Sequence, residues 1–293
     1  MKMLMSLGLL LWVCCVPAAQ GASMYISIPS ITGKDPTPGY PGAMNVRSLT
    51  IAPDGFTMIK DVDTASAQIT AAIVGGTPLH TATALLYNST PSGSPDATLA
   101  LQNIFGSSYT FLGGTPELEQ DQFNSTSPAY LYLDVPGITG VSSTPGYPAV
   151  MRIQSFTLNA NDFSVVKEVD SASPQIASAI VGATLFPTFN LLLYNSTPTG
   201  PPDAILSFRD VLASSYTSLS GGGDIRMEQD DFDFASISQP TPEPDGSLLT
   251  IIVVSSFGIA MRRRTCGDST GNIQTVWYRS NEGRAHTAHP IAH

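Results

Sequence analysis

The chain has 293 residues and a formal net charge of −10, with 42% hydrophobic and only 12% charged side chains. The length allows two ordinary domains, and the apolar share suffices for real cores. Thirteen Lys and Arg residues against 23 acids exclude nucleic-acid binding through a basic surface, because phosphate contacts need those cations. The three cysteines are Cys14, Cys15 and Cys266, so residues 16–265 carry neither a disulfide framework nor a thiolate metal site.

Residues 1–22 read as a secretory signal peptide. Lys2 supplies a positive start, Met5 to Val16 is apolar, and Ala18, Ala19, Gly21 and Ala22 are small enough for a signal peptidase. Cleavage is expected after Gly21 or Ala22.

A first domain is expected over residues 23–127, mostly of strands. Tyr25, Ile26 and Ile28 begin a strand that Pro29 ends. Val46 to Ile51 alternates, which places Val46, Ser48 and Thr50 on one face and Arg47, Leu49 and Ile51 on the other. Phe56 to Val62, Ala82 to Tyr87, Ala97 to Ile104 and Ser107 to Leu112 are further short runs between turn residues. Between them, Ser66 to Gly75 reads as one short helix with Ile69, Ala72 and Ile73 on its buried face. Many short strands with turn signals imply a sandwich or barrel.

The chain then repeats itself. Thr37-Pro38-Gly39-Tyr40-Pro41 recurs as Thr144-Pro145-Gly146-Tyr147-Pro148, and Tyr87-Asn88-Ser89-Thr90-Pro91 as Tyr194-Asn195-Ser196-Thr197-Pro198, at an offset of 107 residues. After a two-residue insertion Glu119-Gln120-Asp121 matches Glu228-Gln229-Asp230. The period is the size of a domain, so a second copy is expected over residues 130–239, joined through Ser127-Pro128-Ala129. Its helix reads from Ser173, taken as N-cap, through Pro174 to Gly182, with Ile176, Ala179 and Ile180 buried.

Both copies resemble the Hcp family, the tube proteins of bacterial type VI secretion. The resemblance rests on Tyr25 to Gly33 and Tyr132 to Gly140, on Ile153 to Thr157, on Asp210 to Tyr216, and above all on Lys167 to Ile176, echoed from Lys60 to Ile69. It implies a mainly β fold: two tandem antiparallel β-barrels of Hcp type, each with one short α-helix and no active site. Family members form hexameric rings, so self-association into rings is an implied partner relation. With two barrels per chain, three chains would close a six-barrel ring, linked copies being neighbours.

Residues 240–264 carry Pro240-Thr241-Pro242-Glu243-Pro244, the apolar run Leu248 to Met261, and Arg262-Arg263-Arg264. This resembles the PEP-CTERM sorting signal, which implies an exosortase-type processing enzyme as partner and a transient membrane anchor. The arginines would hold their end on the cytoplasmic side. Residues 265–293 read as a disordered tail. Its His286, His289 and His293 lack a fold to orient them toward a metal.

No catalytic constellation is legible, and no catalytic, cofactor-binding or metal residue is assigned. His80, the one histidine of the body, is matched by Pro187 and reads as a turn residue. Glu228, Asp230, Asp231 and Asp233 are carboxylates of the kind calcium takes, or a solvated strand face. Asp231 and Asp233 should lie opposite Phe232 and Phe234. Lys60 with Asp63, and Lys167 with Asp170, read as ion pairs bracing the strand-to-helix turn. Asn88, Asn124 and Asn195 begin Asn-x-Ser/Thr sequons, which a bacterial source leaves without a role. The expected function is that of a non-catalytic exported structural or interaction protein of the bacterial envelope. The alternatives are a type VI tube component or effector, and an exported hydrolase or carbohydrate-binding module.

Overall fold

The computed structural model describes residues 21–219 and 225–240. The signal peptide, apart from its last two residues, and the apolar run, the arginines and the tail within residues 241–293 lie outside the described residues. Among the described residues no helix is long and apolar enough to cross a membrane.

The first half contains β1 (Ser23–Ser27), β2 (Met44–Ala52), β3 (Gly55–Asp61), α1 (Thr64–Gly75), β4 (Pro78–Tyr87), β5 (Ala97–Gly113) and β6 (Leu118–Ser125). All its strand pairs are antiparallel: β1 with β4, β4 with β5, β5 with β6, β6 with β3, β3 with β2, and β2 back to β1. Six strands therefore close on themselves, with only a short contact between β1 and β2. The second half contains β7 (Tyr130–Asp134), β8 (Ser142–Thr144), β9 (Tyr147–Leu158), β10 (Asp162–Glu168), α2 (Ser173–Val181), β11 (Leu185–Tyr194), β12 (Ala204–Leu219), β13 (Met227–Asp233) and β14 (Ser236–Ser238). Its circuit runs β7, β11, β12, β13, β10, β9 and back to β7. The expected mainly β, antiparallel fold with one short helix per half is the fold observed.

Three local readings are corrected. The alternation in β2 breaks at Arg47: Val46, Leu49 and Ile51 are all buried, because the register against β3 shifts between Val46 and Ser48. One extra residue returns the later apolar positions to the interior. The two runs Ala97 to Ile104 and Ser107 to Leu112 are one strand, β5, with a register shift between Gly106 and Ser108. A Cβ on Gly106 would lie 2.5 Å from Ile73 Cγ1, so this glycine lets α1 sit against β5. Finally, α1 starts at Thr64 rather than Ser66, and its N-cap is Asp63. In α2 the backbone N-cap is Ala172 rather than Ser173, and the Asp170 carboxylate accepts the Ala172 N–H at 2.9 Å.

The repeated motifs have a packing reason. Thr37 and Tyr40 exchange backbone hydrogen bonds around Pro38-Gly39, with Gly39 at φ 80°, a conformation that favours glycine. The turn lays Tyr40 on an outer cluster where Tyr25 and Tyr87 meet edge to face at 5.8 Å. The second half repeats this with Tyr147 on Tyr132 and Tyr194, again 5.8 Å apart. Inside, Phe56 stacks on Phe123 at 4.6 Å and the equivalent Phe163 on Phe232 at 5.0 Å.

The halves join through equivalent strands. β1 pairs with β2 only at Met44–Val46, and over Leu49–Ile51 the same side of β2 pairs with β9. Thr50 faces Thr157, its own repeat equivalent, with the hydroxyls 2.9 Å apart. Ala129 N–H donates to Pro53 O at 2.7 Å, and its equivalent Ala22 N–H donates to Ala160 O at 2.6 Å. The relation is therefore an approximate two-fold centred on the threonine pair. Such an interface is self-complementary, whereas ring neighbours meet head to tail. The two halves are thus not related as head-to-tail neighbours.

Gly33 and its equivalent Gly140 sit where a Cβ would lie 2.5 Å from Ala43 O and 2.3 Å from Val150 O. Gly140→Ala is expected to cost about 1–3 kcal/mol through backbone displacement, read as a lower urea midpoint. Conversely, α1 is followed by left-handed Gly76 (φ 59°), but the equivalent residue after α2 is Ala183 at φ 45°. Ala183→Gly should stabilise the chain by up to about 1 kcal/mol, seen as a raised melting temperature.

Candidate functional site

The alternation of β3 points Phe56, Met58 and Lys60 inward, and that of β6 points Glu119, Asp121 and Phe123 inward. Antiparallel pairing sets Phe56 beside Phe123, Met58 beside Asp121 and Lys60 beside Glu119. A fully buried ammonium therefore meets a fully buried carboxylate: Lys60 Nζ lies 2.7 Å from Glu119 Oε1 and 2.6 Å from Asp63 Oδ1. Lys60 also donates to Asp61 O at 3.0 Å and to Ser66 Oγ at 3.3 Å. The Ser66 hydroxyl donates to Glu119 Oε1 at 2.8 Å and accepts the Asp63 N–H at 2.9 Å.

The second half repeats the arrangement atom for atom. Lys167 Nζ lies 2.6 Å from Glu228 Oε1 and 2.7 Å from Asp170 Oδ1, and Ser173 Oγ donates to Glu228 Oε1 at 2.7 Å. The expected bracing pairs Lys60–Asp63 and Lys167–Asp170 are thus present, within larger networks. From the sequence alone Glu228 falls in a calcium or solvated-face group, and Glu119 and the two serines have no part in these networks. The signal was there: Phe-x-Met-x-Lys and Glu-x-Asp-x-Phe are inward columns of two strands, read in opposite directions.

Burial works to lower the Lys60 and Lys167 pKa values. The hydrogen bonds and charges of Asp63 and Glu119, and of Asp170 and Glu228, outweigh it, so both ammonium groups shift upward. The neighbouring acids behave differently. Burial first, then the charge of Glu119, pushes Asp121 up to about 7, although Lys60 opposes this. Burial and Glu228 do the same to Asp230, again to about 7 and against Lys167.

The acidic stretch near the C-terminal end of the body divides. Glu228 and Asp230 face inward with Phe232, while Asp231 and Asp233 face outward. The four carboxylates the sequence grouped for calcium are therefore on opposite faces of β13. Among the described residues no group of three or more His, Cys, Asp or Glu side chains is placed to hold a metal ion. His80 is not in a turn: it lies exposed in β4, at φ 58°, where the register against β5 shifts. Asn88 bridges the halves, donating to Ile237 O at 2.7 Å and accepting the Ile237 N–H at 2.6 Å.

One open cleft of about 620 Å³ lies where the halves meet, lined by Lys34, Asp35, Asn45, Arg47, Asp61 and Asp162 among others. Its Arg47–Asp61 pair, at 2.6 Å, is half exposed on both sides, so it adds little stability. The side chains lining the cleft are acids, amides, two cations and small or aliphatic residues.

No protein-family profile matches the chain. No curated protein matches it either. Among solved structures it is similar to Hcp1 from Salmonella typhimurium, at 17% identity over 39% of this chain and 86% of that one, with a TM-score of 0.35. It is also similar to a type six secretion system protein, at 23% identity over 40% of this chain and 86% of that one, TM-score 0.34. A third similar structure is a type VI secretion system effector from Yersinia pestis, at 16% identity over 37% of this chain and 87% of that one, TM-score 0.32.

Removing the glutamate leaves each lysine paired with its aspartate but takes away one charged hydrogen-bond partner in a buried network, at a cost of about 1.5–3 kcal/mol. Glu228→Ala should destabilise the chain by about that amount, and Glu119→Ala similarly. Urea unfolding followed by tryptophan-independent circular dichroism at constant pH measures both.

Proposed function

We propose that the chain is a non-catalytic exported structural or interaction protein of the bacterial envelope, built from two Hcp-like barrels. In this reading the signal peptide directs export. The Pro-Glu-Pro motif, apolar run and arginines at 240–264 anchor the chain until an exosortase-type enzyme processes it. The observation that carries the reading is which side chains the two halves share. The polar network inside each half matches one for one: Lys60 and Lys167, Asp63 and Asp170, Ser66 and Ser173, Glu119 and Glu228, Asp121 and Asp230. Part of the polar surface does not: Lys34, Asp35, Arg47 and His80 have Val141, Ser142, Gln154 and Pro187 as equivalents, although the exposed pairs Thr32–Gln68 and Asn88–Asp96 recur as Thr139–Gln175 and Asn195–Asp203. Duplication has kept what holds a barrel together and has let part of the outward chemistry drift, which suits a scaffold better than a repeated active site.

Deleting residues 241–293 should move the protein from the envelope fraction to the medium. Immunoblots of fractionated cells check this, and equal distribution of full-length and truncated chains would reject the proposed anchor.

A further inference from the structure

Three polar atoms in the first half are buried without any hydrogen-bond partner in one small space: both carboxyl oxygens of Asp121 and Oε2 of Glu119. The second half leaves the equivalent atoms in the same condition: both oxygens of Asp230 and Oε2 of Glu228. Two ionised carboxylates can only accept hydrogen bonds, so neither can satisfy the other. A single proton changes that. A protonated Asp121 becomes a donor, and Glu119 Oε2 is an unpaired buried acceptor two residues away on the same inward face of β6. Glu119 Oε1 is already held by Lys60 and Ser66, which leaves Oε2 as its free acceptor.

We infer that each half stores one proton in its interior, shared between Asp121 and Glu119 in the first and between Asp230 and Glu228 in the second, so that folding is coupled to the uptake of two protons. This goes beyond the scaffold reading and does not depend on where the chain is exported.

The groups facing each site are few. Asp121 meets Glu119 on its own strand, Lys60 from β3, Asp63 at the start of α1, and Tyr109, its β5 partner in the ladder. Asp230 meets Glu228 and Asp231 on β13, Lys167 from β10, Asp170 before α2, and Tyr216 from β12. In each half the single ammonium lies against two other carboxylates, Glu119 and Asp63 or Glu228 and Asp170, and makes no hydrogen bond to the aspartate in question.

The sign follows from linkage. Both aspartates lie near 7 in the folded chain, against an ordinary value of 3.8. Between those values the native state holds the protons and the unfolded chain does not. Stability is therefore fully present below the lower value, falls as pH rises through the window, and levels off above about 7. Each site multiplies the unfolding constant by up to about tenfold per pH unit there.

The test is urea unfolding of the full chain from pH 4.5 to 8, beside the double variant Asp121→Asn/Asp230→Asn. Asparagine imitates the protonated acid, since its amide can donate to Glu119 or Glu228. The wild type should lose up to about two more powers of ten in folding constant per pH unit than the variant between pH 5 and 6.5. Equal slopes for the two proteins would overturn the inference. Infrared spectroscopy of the wild type at pH 6 is a second readout that needs no variant. A protonated carboxylic-acid carbonyl band that disappears above pH 8 is expected, and its absence at pH 6 would equally overturn the shared proton.

Discussion

A lysine ammonium without access to water dictates much of this architecture. Lys60 and Lys167 occupy inward strand positions and are essentially unexposed. An isolated charge there would be prohibitive, so carboxylates must converge on it. They come from separate places: Asp63 or Asp170 before the helix, and Glu119 or Glu228 from a strand more than fifty residues further on. Three elements are thereby fixed to one point. In the first half the aspartate also caps the helix by accepting the Ala65 N–H, and in the second Asp170 accepts the N–H of Ala172 just before α2, so the ion pair and the start of the helix share one carboxylate. The serine hydroxyl completes the lock by linking the helix to the glutamate.

A second constraint arises from strand lengths. β1 has five residues and β2 has nine, so part of β2 outruns its neighbour. A bare edge of that kind would invite pairing with other chains. Duplication resolves it internally, because the second copy brings the equivalent stretch at β9. Two equivalent edges meeting antiparallel must do so about a two-fold, and Thr50 with Thr157 marks its centre. The short linker then carries Ala129 to Pro53 while the N-terminal segment carries Ala22 to Ala160, each half gripping the other with the same bond.

Much of this was legible in the sequence because period and repetition are local properties. The strand at Phe56 to Val62, the helix stripes at Ile69 and Ile176, and the pairing of Lys60 with Asp63 needed only near neighbours along the chain. What escaped required knowledge of register. The break in β2 at Arg47 is invisible to an alternation rule, since only the pairing with β3 shows the extra residue. Glu119 and Glu228 escaped for the same reason: their partners are distant in sequence, and an acid within a run of acids reads as solvated surface. The correct separation of Asp231 and Asp233 from Phe232 held the clue. The face carrying Phe232 also carries Glu228 and Asp230, so an aromatic side of a strand was announcing buried carboxylates.

The two halves also show how far a barrel interior can change while its charged lock stays the same. Where the first half has Leu49, Ala82 and Leu101, the second has Phe156, Phe189 and Phe208, all buried. Those rings pack around Phe163, with Phe208 at 4.5 Å and Phe156 at 5.5 Å. Apolar volume can be redistributed in this way because dispersion contacts are non-directional, provided the space is refilled. The ion network has no such freedom: shortening or neutralising one member strands the rest. Hence the fillings of the two barrels have diverged and the lysine, aspartate, serine and glutamate have not, and the fold's identity resides in the four polar residues that an apolar-core description would pass over.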